Sequence, residues 1–166
     1  MKAMEDAITD FRRTVELYAP RLLALGEDEA RRPRDGDGWS AKQIVGHLVD
    51  SAANNHRRFV LAQYRDDLVF EGYDQDDWVR AQRYDEEDWS QLVGLWRAYN
   101  LHLAHVMSRA PEEALNRERA AHSLDRIAFK SVDASQPATL EYLMRDYVDH
   151  LKHHLAQIFP EDSGLK

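Results

Sequence analysis

Apolar side chains recur every three or four residues along four long stretches of the chain, the spacing that one buried helix face requires. Ile8, Phe11, Val15, Tyr18, Leu22 and Leu25 form the first stripe and predict a helix over residues 4–25. Pro20 falls inside it and should kink it, having no N–H for the helical ladder. Residues 26–38 read as loop throughout. The second helix has a marked start: Ser40 with Gln43 fits a capping box, and Trp39 with Ile44 fits a hydrophobic staple. A third helix is expected over residues 88–108, on Leu92, Leu95, Trp96, Tyr99, Leu103 and Val106, with Ala110-Pro111 as its stop. Pro137 and Thr139 open a fourth that runs to about Phe159 on Leu140, Leu143, Tyr147, Leu151 and Ile158. Between these, residues 64–85 lack clean periodicity and predict a long connection with one helical turn. Residues 112–118 predict a short helical piece and residues 126–130 a short extended segment. Four helices of about twenty residues are each ~30 Å long. The fold class expected is all-α, a four-helix bundle with a long crossover connection, as a single domain over residues 1–166.

The capping box fixes the phase of the second helix, so its faces can be read. At about 100° per residue, Ser51, Asn54 and Arg58 return to within about 40° of His47. Ile44 and Leu48 flank that line, so His47 faces inward and the stripe turns polar further along. A polar stripe on an inward face is costly unless it lines a wet cavity or binds something. On the last helix His150 and His154, four residues apart, lie one above the other. Imidazole is a good ligand for zinc, nickel and related divalent ions, and catalytic sites keep a position open beside the protein ligands. His47, His150 and His154 are therefore the candidate metal ligands, against the plainer alternative of a surface pair and a satisfied core histidine. His153 points about 80° off the pair and reads as a neighbour. His56, His102 and His105 read as surface residues, and His122 as an outside candidate for a pocket rim. Metal-bound histidines usually donate their second N–H to a nearby acceptor. Asp50 and Ser51 lie one turn from His47, Asp146 lies one turn before His150, and Gln157 shares His150's face. These four are candidate supports, with ordinary surface carboxylates as the alternative for Asp50 and Asp146. Arg58 is placed to hold a carboxylate of a ligand as a fork, or to be a surface arginine with a packed stem.

Composition narrows the partners. The 166 residues carry 22 Lys+Arg against 30 Asp+Glu, a formal net charge of -8 with histidines neutral. An acidic chain without a basic block is poorly suited to nucleic acid, where phosphate contacts dominate affinity, or to an anionic membrane surface. No apolar run approaches the ~20 residues of a membrane span. The start, Met1-Lys2-Ala3-Met4-Glu5-Asp6, leads into an acidic amphipathic stretch rather than a signal peptide, so the cytoplasm is the expected compartment. With Cys 0, disulfides, thiolate metal sites and a cysteine nucleophile are excluded, and any thiol chemistry needs a thiol supplied from outside.

Two stretches together resemble a known family. Trp39-Ser40-(x)2-Gln43-(x)3-His47-Leu48-(x)-Asp50-Ser51 and Tyr147-(x)2-His150-(x)2-His153-His154-(x)2-Gln157-Ile158 are similar to the DinB-like superfamily. Within it they look like the YfiT-type branch of inferred metal-dependent hydrolases, which includes bacillithiol S-transferase. The likeness continues through Asn54, Asn55, Arg58 and Phe59, and through Tyr73-Asp74-(x)3-Trp78. It implies a four-helix bundle with a long crossover, a homodimer, and a zinc or nickel ion on three histidines. Carried over by position, those are His47, His150 and His154. The segment before Pro137 departs from the family pattern, with Ala121-His122-Ser123 where a His-Pro turn and a glycine are common.

Three functions follow from the chemistry. In a metal-dependent enzyme, the ion would draw the pKa of a bound thiol or water toward neutrality for attack on an electrophilic small molecule. Transfer of a low-molecular-weight thiol comes first in this class and hydrolysis second; the chain offers no identifiable nucleophile of its own. In a non-catalytic metal-binding module, the ion would pin the second and fourth helices together. In an interaction protein, the site would be vestigial and dimerisation the function.

Overall fold

A computed structural model describes residues 2–34 and 38–165; Met1, Lys166 and positions 35–37 of the expected loop lie outside the described residues. Helix α1 spans Lys2–Ala24 with Pro20 inside it, and buries Phe11, Val15 and Leu22 completely. Gly26, at φ 74°, turns the chain out of α1 into a conformation that glycine adopts without a Cβ penalty. The expected loop does not follow directly, because Gly26–Arg31 forms a short helix, α2. Long-range contacts hold it. Glu27 takes the ammonium of the fully buried Lys42 on one carboxylate oxygen, and on the other the backbone N–H of Trp89 at 3.0 Å.

Helix α3 (Ala41–Leu61) starts as its sequence predicts. The Gln43 N–H donates to Ser40 Oγ at 3.2 Å, and the Ser40 N–H donates to Gln43 Oε1 at 2.9 Å. The crossover then carries one short helix, α4 (Gln75–Gln82), capped by Asp74, which accepts from the Asp77 N–H at 2.8 Å. Helix α5 (Trp89–Arg109) is capped by Asp88 and buries Leu92, Trp96 and Leu103. Leu95, assigned to that stripe from the sequence, is 46% exposed at its edge. After α6 (Glu112–Asn116), the expected extended segment at 126–130 is replaced by a helical turn, α7 (Leu124–Ile127). The extended pairing falls earlier. Leu68 donates its N–H to Ala121 O at 2.9 Å and accepts from the Ser123 N–H at 3.1 Å. Helix α8 (Leu140–Ile158) is capped by Thr139.

The four long helices α1, α3, α5 and α8 form the bundle. Both α1 and α3 pack against α5 and α8, so α1 and α3 occupy opposite corners. Among the described residues there are isolated bridges but no strand, and no helix is long and apolar enough to cross a membrane. The α3–α8 corner carries the histidines.

Candidate metal centre

His47 comes from the second turn of α3, and His150 and His154 from successive turns of α8. The structure brings all three together: one ring nitrogen from each lies within 4.8 Å of the others. His47 Nε2 and His150 Nε2 are 3.2 Å apart. Two imidazole nitrogens bound to one zinc at ~2.0–2.1 Å in tetrahedral geometry stand roughly 3.3 Å apart, so this pair is spaced for a shared ion. His154 Nδ1 lies 2.8 Å from Gln157 Oε1. An amide oxygen only accepts, so Nδ1 carries the proton and Nε2 keeps its lone pair. His150 Nδ1 lies 3.5 Å from Ser51 Oγ, at the limit of a hydrogen bond.

The rings are also in the protonation state a metal needs. Burial first, and then His154, hold His47 down to about 3. Burial, then His154, His47 and His153, hold His150 down to about 2. His154 is lowered as well, by burial first, with Gln157 pulling the other way. Neutral imidazole binds metal without first losing a proton. Two buried atoms of α3 lack partners, His47 Nδ1 and Asp50 Oδ2. Above the cluster stands Trp39, its ring centroid 5.2 Å from that of His47 and 6.5 Å from that of His154. The residue expected as half of a helix staple thus also roofs the histidines.

His47 and His150 sit in the wall of a cavity of about 260 Å³, at the small end of ligand sites. Its helix side is His47, Ser51, Asn55 and Arg58 from α3 and Asp146, Tyr147 and His150 from α8; Gly72, Tyr73 and Gln75, and Arg126 to Phe129, close it from the two long connections. On the other side a second cleft is lined by Trp39, Ile44, His154 and Gln157. A catalytic ion keeps one coordination position open where a structural site is closed, and the cavity beside His47 and His150 leaves room for one.

A sequence profile of the DinB superfamily matches residues 10–158, which contain all three histidines. The chain belongs to the DinB superfamily. It is 27% identical over 125 residues to YfiT of Bacillus subtilis, named as a candidate metal-dependent hydrolase, covering 75% of this chain and 64% of that protein. The match thus spans less than two thirds of that relative's length. A Bacillus licheniformis protein with the same kind of name is 22% identical over 95% of this chain and 84% of its own. A third, from Oceanobacillus iheyensis, is 28% identical over 84% of this chain and 77% of its own. The solved structure of Bacillus subtilis YfiT superposes with a TM-score of 0.77 at 20% identity, over 96% of this chain and 86% of that one. It is described as a probable metal-dependent hydrolase with an unusual four-helix bundle topology, and at this identity the likeness speaks for the fold.

Around the DinB histidines the remaining sequence candidates fall into two groups. Gln157 bonds to His154, Ser51 lies beside His150, and Arg58 and Asp146 line the cavity. The Asp146 carboxylate accepts the backbone N–H groups of Phe129 at 2.8 Å and Lys130 at 2.7 Å, so it shapes the cavity wall rather than orienting His150. Asp50 faces the crossover: its Oδ1 accepts from Tyr84 Oη at 2.6 Å and Gln82 Nε2 at 2.7 Å, and burial raises its pKa. Asn54 donates to the Asp50 carbonyl in its own helix at 2.9 Å, and its neighbour Asn55 lines the cavity instead. His122 is a structural residue. Its Nε2 meets the Gln136 carbonyl at 2.7 Å, and its Nδ1 accepts the Leu124 N–H at 3.1 Å. His153 is exposed and packs on Phe129, with ring centroids 5.0 Å apart. His56, half-buried, meets Tyr99 Oη at 3.3 Å and the exposed His102 ring edge-on.

Sequence reasoning left Tyr73 out of the site. Burial, then the Asp50 carboxylate, push its phenol up to about 12 against the opposing pull of Arg58, so it remains a hydrogen-bond donor at neutral pH. The signal was the Tyr73-Asp74-(x)3-Trp78 motif, but nothing in a crossover without periodicity says where its side chains go.

Proposed function

We propose that this DinB protein is a metal-dependent enzyme that transfers a low-molecular-weight thiol to an electrophilic small molecule. Its ion, zinc or nickel, is held by His47, His150 and His154. The observation that carries the reading is three neutral imidazoles converging on one point, with His47 and His150 lining the cavity and His154 the cleft beside Trp39. When bound, a divalent ion there supplies Lewis acidity that draws the pKa of a thiol or water toward neutrality. The chain does the rest by placement. Gln157 fixes the tautomer of His154, and Trp39 shields the rings from one side. Tyr73 and Asn55 offer hydrogen bonds to a ligand in the cavity. Both Asp146 oxygens are occupied by backbone N–H groups, which leaves that carboxylate poorly placed as a nucleophile. Hydrolysis is the second reading, favoured by the names of the relatives.

Elemental analysis of the purified protein, paired with a thiol-conjugation and ester- and amide-hydrolysis screen, tests this. The expected result is one zinc or nickel per chain and turnover in the screen, both lost in His154→Ala. Unchanged metal in that variant overturns the ligand set. Stoichiometric metal with no turnover overturns catalysis in favour of a binding module. The protein has no thiol of its own, so conjugation in the screen reports only added thiol.

A further inference from the structure

The molecule contains two deeply buried arginines, and they are used differently. Arg119, 2% exposed, spends all three of its guanidinium nitrogens on backbone carbonyls: Nε on Arg65, Nη1 on Ala114 and Arg117, and Nη2 on Ala62 and Ala114. It is a saturated clamp. Arg58, 5% exposed, donates from Nη2 to the Glu71 carbonyl at 2.8 Å and from Nη1 to Asn55 Oδ1 at 3.4 Å. A guanidinium has five N–H donors, so three remain. It also lines the cavity beside the histidines, and none of the ion pairs among the described residues includes it. Asp146, the carboxylate in the same cavity, is committed to two backbone N–H groups. A buried cation with neither a counter-charge nor a full set of acceptors is costly unless something else supplies them.

We propose that Arg58 is the anchor of a carboxylate-binding subsite, so that the small molecule taken by this site carries a carboxylate several bonds from its reacting atom. A planar carboxylate matches the guanidinium fork and carries the single charge needed to neutralise it. Asn55 and Tyr73 line the same space with further polar atoms. The spacing sets the size. Arg58 lies eleven residues beyond His47 on one helix, roughly 16 Å along its axis. Helix side chains lean toward the N-terminus, as the Arg58 bond to Asn55 shows, so the guanidinium reaches back toward the histidines. The identification of the reacting end rests on the metal-dependent reading above; the carboxylate subsite does not.

The test is calorimetric titration of the full-length protein with butanoate, pentanoate and hexanoate, and with their primary amides. Wild type is measured as purified and after chelation, next to Arg58→Gln and Arg58→Lys. The acids should bind at least tenfold more tightly than the amides, in chelated wild type as well as in the metal-loaded form. Arg58→Gln should lose at least tenfold in acid affinity with unchanged metal content and cooperative unfolding, and Arg58→Lys should fall between. Equal binding of acids and amides overturns the proposal, and that comparison needs no variant. So does acid binding that disappears on chelation but survives Arg58→Gln, because the acid is then on the metal. Inorganic phosphate binding as tightly as the acids overturns the assignment to carboxylates. Carboxylate binding by a protein that purifies without metal would sustain the subsite while sinking the metal-dependent reading.

Discussion

Gly46→Ala sets two strong local rules against each other. Gly46 lies inside α3, one residue before His47. In an exposed helix interior, alanine is worth up to about 1 kcal/mol over glycine. Here a Cβ at Gly46 would stand 2.1, 2.3 and 2.6 Å from Cδ2, Cγ and Cε2 of Tyr84. These include the root of the ring, so a small rotation cannot relieve the clash, and Tyr84 is 4% exposed with nowhere to slide. Expelling the ring forfeits about 1.5–3 kcal/mol of burial. It also strips the phenol from Asp50 Oδ1, at about 1–3 kcal/mol for a buried acceptor left short of a donor. After the propensity gain, Gly46→Ala should destabilise by about 1.5–5 kcal/mol. Urea denaturation followed by the fluorescence of the four tryptophans measures it. Repeating the substitution in a Tyr84→Ala background should reverse the sign, leaving Gly46→Ala neutral or stabilising by up to about 1 kcal/mol. The coupling between the two positions is then the decisive quantity. Gly46→Ala as stable as wild type, or destabilising equally in both backgrounds, would refute the reasoning.

Two further outcomes follow from buried or linked charges. Arg119→Met should destabilise by about 3 kcal/mol or more in the same urea assay, because four carbonyls lose their donor inside the protein; a loss below about 1 kcal/mol would mean water replaces the clamp. Asp162, tied to the side chains of Tyr18 and Arg21, is held down to about 2, by the Tyr18 hydroxyl first and Arg21 next. A depressed carboxylate contributes its stability in full above the ordinary value of 3.8 and loses it as pH falls toward 2. Wild type should therefore exceed Asp162→Asn in urea midpoint at pH 6, with the gap closing on acidification; a gap independent of pH would exclude the carboxylate as its source.

The parts of the fold that were legible in the sequence depend on nearest neighbours along the chain. Ser40 with Gln43, Asp88, and Thr139 each cap a helix within three residues, and the stripes behind them bury Phe11, Leu48, Leu92 and Leu151 as their spacing demands. Helix α2 was not legible, because what holds it is Glu27 pairing with Lys42 and the Trp89 N–H, at separations of 15 and 62 residues. The stretch at 126–130 misled for a related reason. Its β-favouring residues are overruled by a turn in which the Ser123 carbonyl accepts the Arg126 and Ile127 N–H groups, and by Asp146, which holds the N–H groups of Phe129 and Lys130 from α8. In the site, helical spacing was enough to align His150 with His154 and to turn His47 inward. It chose Asn54 for the cavity-facing stripe, yet Asn55 is the one that lines the cavity, while Asn54 turns back onto the Asp50 carbonyl. It placed Asp50 beside His47 correctly along the helix, yet gave no hint that Tyr84 and Gln82 would claim its carboxylate.

These contacts divide the labour of the site. The three histidines stand on α3 and α8, inside the bundle, where packing fixes their rotamers. The far walls of the cavity come from residues 72–75 and 126–129, which belong to the two long connections. Each connection is fastened to a helix or to the other by side-chain-to-backbone bonds: Arg58 to the Glu71 carbonyl, Ser123 Oγ to the Phe70 N–H and carbonyl, and Asp146 to Phe129 and Lys130. A site built this way can exchange its walls without moving its three histidines, because loops tolerate substitution where packed helices do not. Ala121-His122-Ser123 does not line the cavity. It ties the two connections together through Ser123 on Phe70 and Ala121 on Leu68, while His122 braces the second connection internally against Gln136. This stretch therefore acts on the shape of the wall through Phe70 and its neighbours, while His47, His150 and His154 stay where the helices set them. Substrate preference in this chain should accordingly respond to substitutions at Ser123 that leave metal content untouched.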